Sequence, residues 1–408
     1  MKLISTVLFL IPFLANGQNN LTGIVLDSIT KQPIQYTTVY INATTKGTIT
    51  DDKGFFTIKD FSFPAMVVVS HVSYSTKTIS LKSNNFDNLI ISLSPKTYHL
   101  TEIEVTDKSL RQKNIDFFKI MFIGSDYWGK NTIIMNDRIL TFNIKYDYLK
   151  MLLNDSIKNE IRWEFNKSIY ECDKDSLYVI KKKLLIFKAD ARGPIIIDMP
   201  LLGYKLQVDL VDFTIQNIEN INHCNFLGYY YFQPYNTHNE FNAKKYERNR
   251  QLAYYNSSQH FFSALYKNKL EQNGYKIWKE IVKDTITNKM SFKDINIDSY
   301  TKVDENNCMQ IIGLKDRSLK VLYYYKRNGA PVDLTSKNIV YYKGGGIALM
   351  TANADNPYYT SEIYFLKDTC TITNEGIIPD SNIMFGGKIS KKKVGSFLPN
   401  DYILINKN

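Results

Sequence analysis

Between Leu21 and Val105 the chain breaks into short runs of alternating apolar and polar residues, each closed by Gly, Pro, Asn, Asp or Ser. A period of two with frequent turn signals is what half-buried strands of a small all-β sandwich require, and it leaves no window in which a helix could bury one face. Seven or eight strands are expected. Thr22 to Asp27 opens the set, Lys31-Gln32-Pro33-Ile34 turns the chain, and Tyr36 to Asn42 follows with Val39 and Ile41 on one face and Tyr40 on the other. Met66 to Val69 is a continuous apolar run and reads as a central strand buried on both faces. Thr76 to Leu81 and Leu89 to Leu93 supply outer strands. In the turn Asp51-Asp52-Lys53-Gly54, Asp51 can accept backbone N–H groups and Gly54 can take positive φ, after which Phe56 and Ile58 start an inward row.

Ahead of this segment lies a charged Lys2, an apolar run from Leu3 to Leu14, and small residues in Ala15-Asn16-Gly17. That layout predicts a signal peptide over residues 1–17 and an exported chain. The apolar run is shorter than the roughly 20 residues a membrane-spanning helix needs, and no later stretch is apolar for long enough. No cysteine follows the expected cleavage point to carry a lipid. The expected location is the periplasm, or the outer membrane through peripheral contact.

Basic residues outnumber acidic ones by 51 to 40, a net charge of +11 that becomes +10 without Lys2. The lysines are scattered apart from Lys181-Lys182-Lys183 and Lys391-Lys392-Lys393. A nucleic-acid partner is not expected of an exported chain, but the two basic runs could touch anionic lipid or lipopolysaccharide. The four cysteines, Cys172, Cys224, Cys308 and Cys370, are far apart, so either a disulfide or free thiols are compatible with export.

The segments Gly23-Ile24-Val25-Leu26-Asp27, Pro33-Ile34, Val39 with Ile41, and Gly47-Thr48-Ile49-Thr50-Asp51-Asp52-Lys53-Gly54-Phe55-Phe56 resemble, in order, the motifs of the carboxypeptidase-regulatory-like domain. The closest likeness is to the version at the front of exported envelope proteins of Gram-negative bacteria. Ser73-Tyr74 stands where that family has Gly-Tyr. The resemblance implies an immunoglobulin-like or transthyretin-like sandwich without an active site of its own. It covers about a fifth of the chain and assigns residues 18–106 to this domain and 107–408 to a second region.

The second region reads as β-rich α+β, so the whole chain is mainly β with some α. Phe117, Phe118, Met121 and Phe122 recur at helical spacing after Asp107, and Gly203 to Leu210 is the clearest strand. In that strand Tyr204 and Val208 face one side, while Lys205, Gln207 and a solvated Asp209 face the other. One long helix is expected from Asn242, as a possible cap, to Asn273, with Gly274 as its stop. On it Arg250, Tyr254 and Phe261 would share a side, beside a strip of Ala253, Ser257, His260 and Ala264. Two readings stand: a recognition surface built from Arg250, Tyr254 and His260, or a helix docked on a sheet by internal hydrogen bonds. This helix, Leu202-Gly203-Tyr204, Leu227-Gly228-Tyr229 and Leu398-Pro399-Asn400-Asp401-Tyr402 together resemble an uncharacterised region that follows such front domains.

No catalytic, cofactor or metal constellation stands out. His99-Leu100-Thr101-Glu102 has the letters of a metal motif but lies in an expected strand, where residues three apart face opposite sides. The Gly344-Gly345-Gly346 run lacks the Lys-Ser/Thr of a phosphate loop and reads as a hairpin turn, and Gly386-Gly387-Lys388 fails the same test. The leading expectation is therefore a non-catalytic envelope protein, without cofactor, that binds or scaffolds a protein partner or glycan through β-rich surfaces. Alternatives are an accessory component of a TonB-dependent outer-membrane uptake system, and a hydrolase that gathers His223, His238 or His260 with a carboxylate.

Overall fold

The computed structural model describes residues 20–61, 64–82, 88–96, 108–152, 155–157, 170–172, 178–218, 221–283, 290–305, 307–335, 340–341, 347–348, 357–378 and 382–404. The expected leader, the Leu100 to Val105 strand with His99, and the Gly344 run lie outside the described residues. The chain divides into two compact units, Met1–His99 and Leu100–Asn408.

In the first unit β1 (Leu21–Asp27), β2 (Thr38–Ile41), β3 (Gly47–Ile49), β4 (Phe55–Ile58), β5 (Ala65–His71), β6 (Tyr74–Leu81) and β7 (Leu89–Leu93) form two sheets, ordered β4-β1-β7 and β3-β2-β5-β6. The alternation is obeyed strictly in β1, where Leu21, Val25 and Asp27 point inward between Thr22, Ile24 and Leu26. Inward residues of both sheets, including Val39, Ile41, Phe56, Ile58, Val67, Val69 and Ile91, make one core. Val68 and Tyr40, on the second face of their sheet, are buried as well, whereas Met66 at the strand's start is exposed.

Two side chains tie the turns. Asp51 Oδ1 accepts the N–H groups of Lys53 (3.0 Å) and Phe55 (2.8 Å). Asp27 Oδ1 accepts those of Ile29 (2.7 Å) and Thr30 (2.9 Å), while its Oδ2 accepts the Tyr74 hydroxyl at 2.8 Å. The Thr30 and Ile29 N–H groups, then Tyr74, hold the Asp27 carboxyl below its ordinary range. Their contribution is complete above that ordinary range and is lost as pH falls through the lowered value.

The second unit begins with α1 (Lys108–Phe122) and α2 (Tyr127–Lys130). A seven-stranded antiparallel sheet follows, made of β8 (Ile133–Ile134), β9 (Leu140–Leu152), β10 (Tyr170–Cys172), β11 (Tyr178–Ala191), β12 (Ile195–Met199), β13 (Tyr204–Ile218) and β14 (Ile221–Pro234). The aromatic face of α1 packs on it, with Phe118 against Phe213 (4.7 Å between rings) and Phe117 against Phe187 (5.0 Å). Leu206, Val208, Ile195 and Ile197 complete this core. Gln207 and Asp209 face away from it, yet both are buried, with Gln207 Nε2 donating to Asp209 Oδ2 at 3.2 Å. The expectation of a solvated Asp209 is overturned, because the second face of β13 is covered at Gln207 and Asp209, although Lys205 on that face is exposed.

The expected single long helix is two helices, α3 (Glu240–Tyr254) and α4 (Ser258–Tyr266), and its cap is Asn239 rather than Asn242. Asn239 Oδ1 accepts the N–H of Phe241 at 2.9 Å and of Asn242 at 3.4 Å. A separate short turn, Glu271–Asn273, ends at Gly274 in the left-handed region.

A second core then forms around Phe261 and Phe262. Its sheets are β16-β15-β19-β22-β24 and β17-β18-β23, built from β15 (Tyr275–Lys283), β16 (Met290–Lys293), β17 (Thr301–Val303), β18 (Met309–Ile312), β19 (Arg317–Tyr324), β22 (Tyr358–Phe365), β23 (Thr369–Ile372) and β24 (Ile383–Gly387). Between β19 and β22, β20 (Val340–Tyr341) pairs antiparallel with β21 (Ile347–Ala348). Cys224 and Cys308 are free thiols, and Cys370 is buried in the second core.

Gly54 sits at φ +75°, and a Cβ there would lie 2.7 Å from the Val25 carbonyl oxygen and 3.0 Å from Pro33 Cβ. Gly54→Ala therefore combines left-handed strain with a backbone clash and should cost about 1–3 kcal/mol of first-unit stability. Amide hydrogen exchange in β1 and β4 should accelerate while exchange in β13 stays unchanged; unaltered exchange in β1 and β4 would refute this role.

Candidate functional site

The interruption between α3 and α4 is where the sequence placed its candidate recognition residues, so its construction decides what they can do. Asn256 adopts φ +57°, a left-handed conformation in which asparagine is the least strained residue after glycine. Ser257 then caps α4, its Oγ accepting the N–H of His260 at 3.1 Å. A left-handed Asn followed by a capping Ser stops one helix and starts another. The side-by-side register expected across Arg250, Tyr254, Phe261 and His260 is thereby lost.

His260 is buried, with 2% of its surface exposed. Its Nδ1 receives the backbone N–H of Asn256 at 3.2 Å and lies 3.0 Å from the Tyr275 hydroxyl. A backbone N–H can only donate, so Nδ1 is an acceptor, and the ring proton resides on Nε2, which donates to Asn273 Oδ1 at 3.2 Å. Tyr254, Tyr255, Tyr275 and Tyr323 surround the ring with centroids 5.0 to 6.1 Å away. Burial among these rings pushes the imidazole down to about 4, opposed by the Asn273 bond and reinforced by Lys392 and Lys267. The same burial raises the phenols of Tyr254 and Tyr275. The pocket thus holds a neutral imidazole whose two nitrogens are both engaged. The side-chain amide of Asn256 is buried without a hydrogen-bond partner.

Arg250 is placed elsewhere. Its Nε donates to the Leu202 carbonyl at 2.8 Å, Nη2 reaches the Gly203 carbonyl at 3.4 Å, and the guanidinium lies 4.1 Å from the centre of the Tyr204 ring. Asn249 Nδ2 adds a 2.7 Å bond to the Leu201 carbonyl, so α3 grips the turn between β12 and β13. The chain end joins the same helix, the Tyr402 hydroxyl donating to Glu247 Oε1 at 3.0 Å with its ring 5.9 Å from that of Tyr254. Three segments grouped by resemblance, the helix, Leu202-Gly203-Tyr204 and Tyr402, thus meet. Tyr254 and His260 meet each other, and neither presents itself to solvent together with Arg250. Among the described residues no group of three or more His, Cys, Asp or Glu side chains is arranged to hold a metal ion.

Two exposed apolar features were not singled out from the sequence, although the Lys181-Lys182-Lys183 run beside the second was. On the outer face of the first unit, Ile24 is paired with Phe55 of β4 and with Ile90 of β7, making an apolar row across the whole sheet. Phe55 is 54% exposed and Ile90 71%. On the second unit, β9 and β11 pair over thirteen positions, well past the last core contacts of Ile144 and Leu184. Strand alternation shows which residues share a face but not whether that face is covered, so only the fold reveals these surfaces.

The buried His260 generates a pH prediction. Above about 6.5 both folded and unfolded chains hold it neutral; between about 6.5 and 4 only the unfolded chain gains a proton, so folding weakens by roughly 3 kcal/mol over that interval. His260→Gln should be less stable at neutral pH yet show a shallower fall in Tm on acidification. An identical slope for both proteins would contradict the assignment.

Residues 21–105 match the family described as the CarboxypepD_reg-like domain. No curated protein matches the chain. Among solved structures, the chain is similar to a protein of unknown function from Bacteroides fragilis NCTC 9343, provisionally described as membrane-associated, at 11% identity and a TM-score of 0.17, covering 54% of this chain and 99% of that one. The chain carries, over residues 21–105, a carboxypeptidase-regulatory-like domain, which is a regulatory, non-catalytic β-sandwich.

Proposed function

We propose that this is an exported, non-catalytic envelope protein that binds or scaffolds a protein partner through its β-rich surfaces. The observation that carries the reading is the Phe55–Ile24–Ile90 row. Single exposed hydrophobic residues are ordinary, but three in register across a sheet form a contiguous apolar strip of the kind that marks an interaction site. Two of its three members are isoleucines, which suit another protein's apolar side chains better than the hydroxyl-rich face of a glycan. The charged, apolar and small-residue segments of Lys2 to Gly17 support export. Arg250, Tyr254 and His260 enter this reading as supports of the second unit, since Arg250 and both His260 ring nitrogens already have internal partners and the Tyr254 ring is buried against His260.

A photoreactive residue introduced at Ile90, followed by crosslinking in cells and fractionation, should capture one envelope protein. The additional change Phe55→Ser should reduce that adduct severalfold. A freely soluble protein that yields no adduct from Ile90 would overturn the proposal.

A further inference from the structure

We infer that the distal part of the β9–β11 ribbon is a contact site for an anionic lipid surface. β9 runs eight residues beyond Ile144, about 25 Å at the usual rise of ~3.3 Å per residue. It pairs with β11 alone and so forms an edge of its sheet among the described residues. Along this stretch apolar side chains are exposed on both faces. Tyr148 and Leu152, 57% and 61% exposed, share the face of Ile144, while Leu149, 56% exposed, points to the opposite one.

Cations frame these residues. From Lys145 to Leu152 and Ile180 to Lys188 there are six lysines against one acidic residue, Asp147. Lys181 is directly opposite Leu149 and Lys182 opposite Tyr148, with the Lys182 Nζ lying 4.1 Å from the centre of the Tyr146 ring and 5.8 Å from that of Tyr148.

The two-faced arrangement selects the occupant. A sugar chain stacks on one face of a strand and leaves the other wet, so it gives no account of Leu149 opposite Tyr148 and Leu152. A bilayer interface surrounds an inserted ribbon, accepts leucines on both sides, places tyrosine rings at headgroup depth, and attracts lysines through its negative surface potential. Charge complementarity and apolar exposure thus converge on acidic phospholipid or lipopolysaccharide headgroups over acyl chains. The ribbon belongs to the second unit, so this inference is independent of the protein partner proposed for the Phe55–Ile24–Ile90 row.

The test uses the purified protein with vesicles of phosphatidylethanolamine and phosphatidylglycerol, and with vesicles of phosphatidylcholine alone. The protein should sediment with the anionic vesicles, and less so as salt is raised. Lys150→Glu with Lys182→Glu should lower partitioning about tenfold or more. Tyr148→Ser, Leu149→Ser and Leu152→Ser together should abolish it, and a Leu152→Trp reporter should shift its emission to the blue on binding. Unchanged circular dichroism of the substituted proteins separates loss of contact from loss of fold. Equal partitioning to both vesicle types, or variants that bind like the parent, would overturn the inference. So would binding to soluble dextran sulfate of equal strength with no emission shift on vesicles, which would assign the lysines to an anionic glycan. Failure of the unsubstituted protein to bind anionic vesicles, with the Ile90 adduct retained, would remove this inference alone.

Discussion

The second unit depends on one backbone constraint, the left-handed turn at Asn256 closed by hydrogen bonds to a buried, neutral His260. Without that turn α3 and α4 would run on as one helix, and the residues after Tyr254 would leave the second core. With it, Ala253 packs in the core made by α1 and the seven-stranded sheet, while Phe261 and Phe262 pack in the next one. Lys392 returns from the end of the chain to donate to the Ala253 carbonyl at 2.8 Å, tying the last segment to the same point. Among the described residues the Asn256 side-chain amide makes no hydrogen bond to another side chain or to the backbone. The position is thus held for the backbone conformation asparagine tolerates, not for bonds made by its side chain.

Polar chemistry at this junction is inward-looking. His260 uses both ring nitrogens on Asn256 and Asn273, Arg250 spends its donors on the Leu202 and Gly203 carbonyls, and Tyr402 donates to Glu247. Groups so engaged position elements rather than await a ligand. The surfaces with unsatisfied apolar area lie instead on sheets: a row across the first unit's outer face and a lysine-framed ribbon on the second. Both readings place function on exposed strand faces, consistent with a front domain that has no catalytic role of its own.

The first unit was readable from sequence because local and long-range requirements coincide there. The period of two in β1, the Asp51 turn and the left-handed Gly54 each imply the same register. The helical junction was harder. Its breaking signals, Asn256 and Ser257, are present in the sequence, but the spacing of Ala253, Phe261 and Ala264 lets the apolar pattern pass over them as if unbroken. Asp209 was misread for another reason: alternation assigns it to the face opposite Val208, and says nothing about what covers that face. The same gap hid the ribbon, since Tyr148 and Leu152 follow the inward parity of Ile144 although the core has ended. Arg250 and Tyr254 look surface-ready on a helical wheel; only the turn from Leu201 to Gly203 and the terminal Tyr402 reveal them as docking residues.

The most direct test of the junction is nitrogen-edited NMR of the His260 ring across pH. A ring protonated only on Nε2, with shifts constant from pH 8 to about 5, is the outcome this structure requires. A ring that titrates with a midpoint near 6.5, or exchanges between tautomers, would mean that His260 meets solvent and that α3 and α4 are not joined in this way.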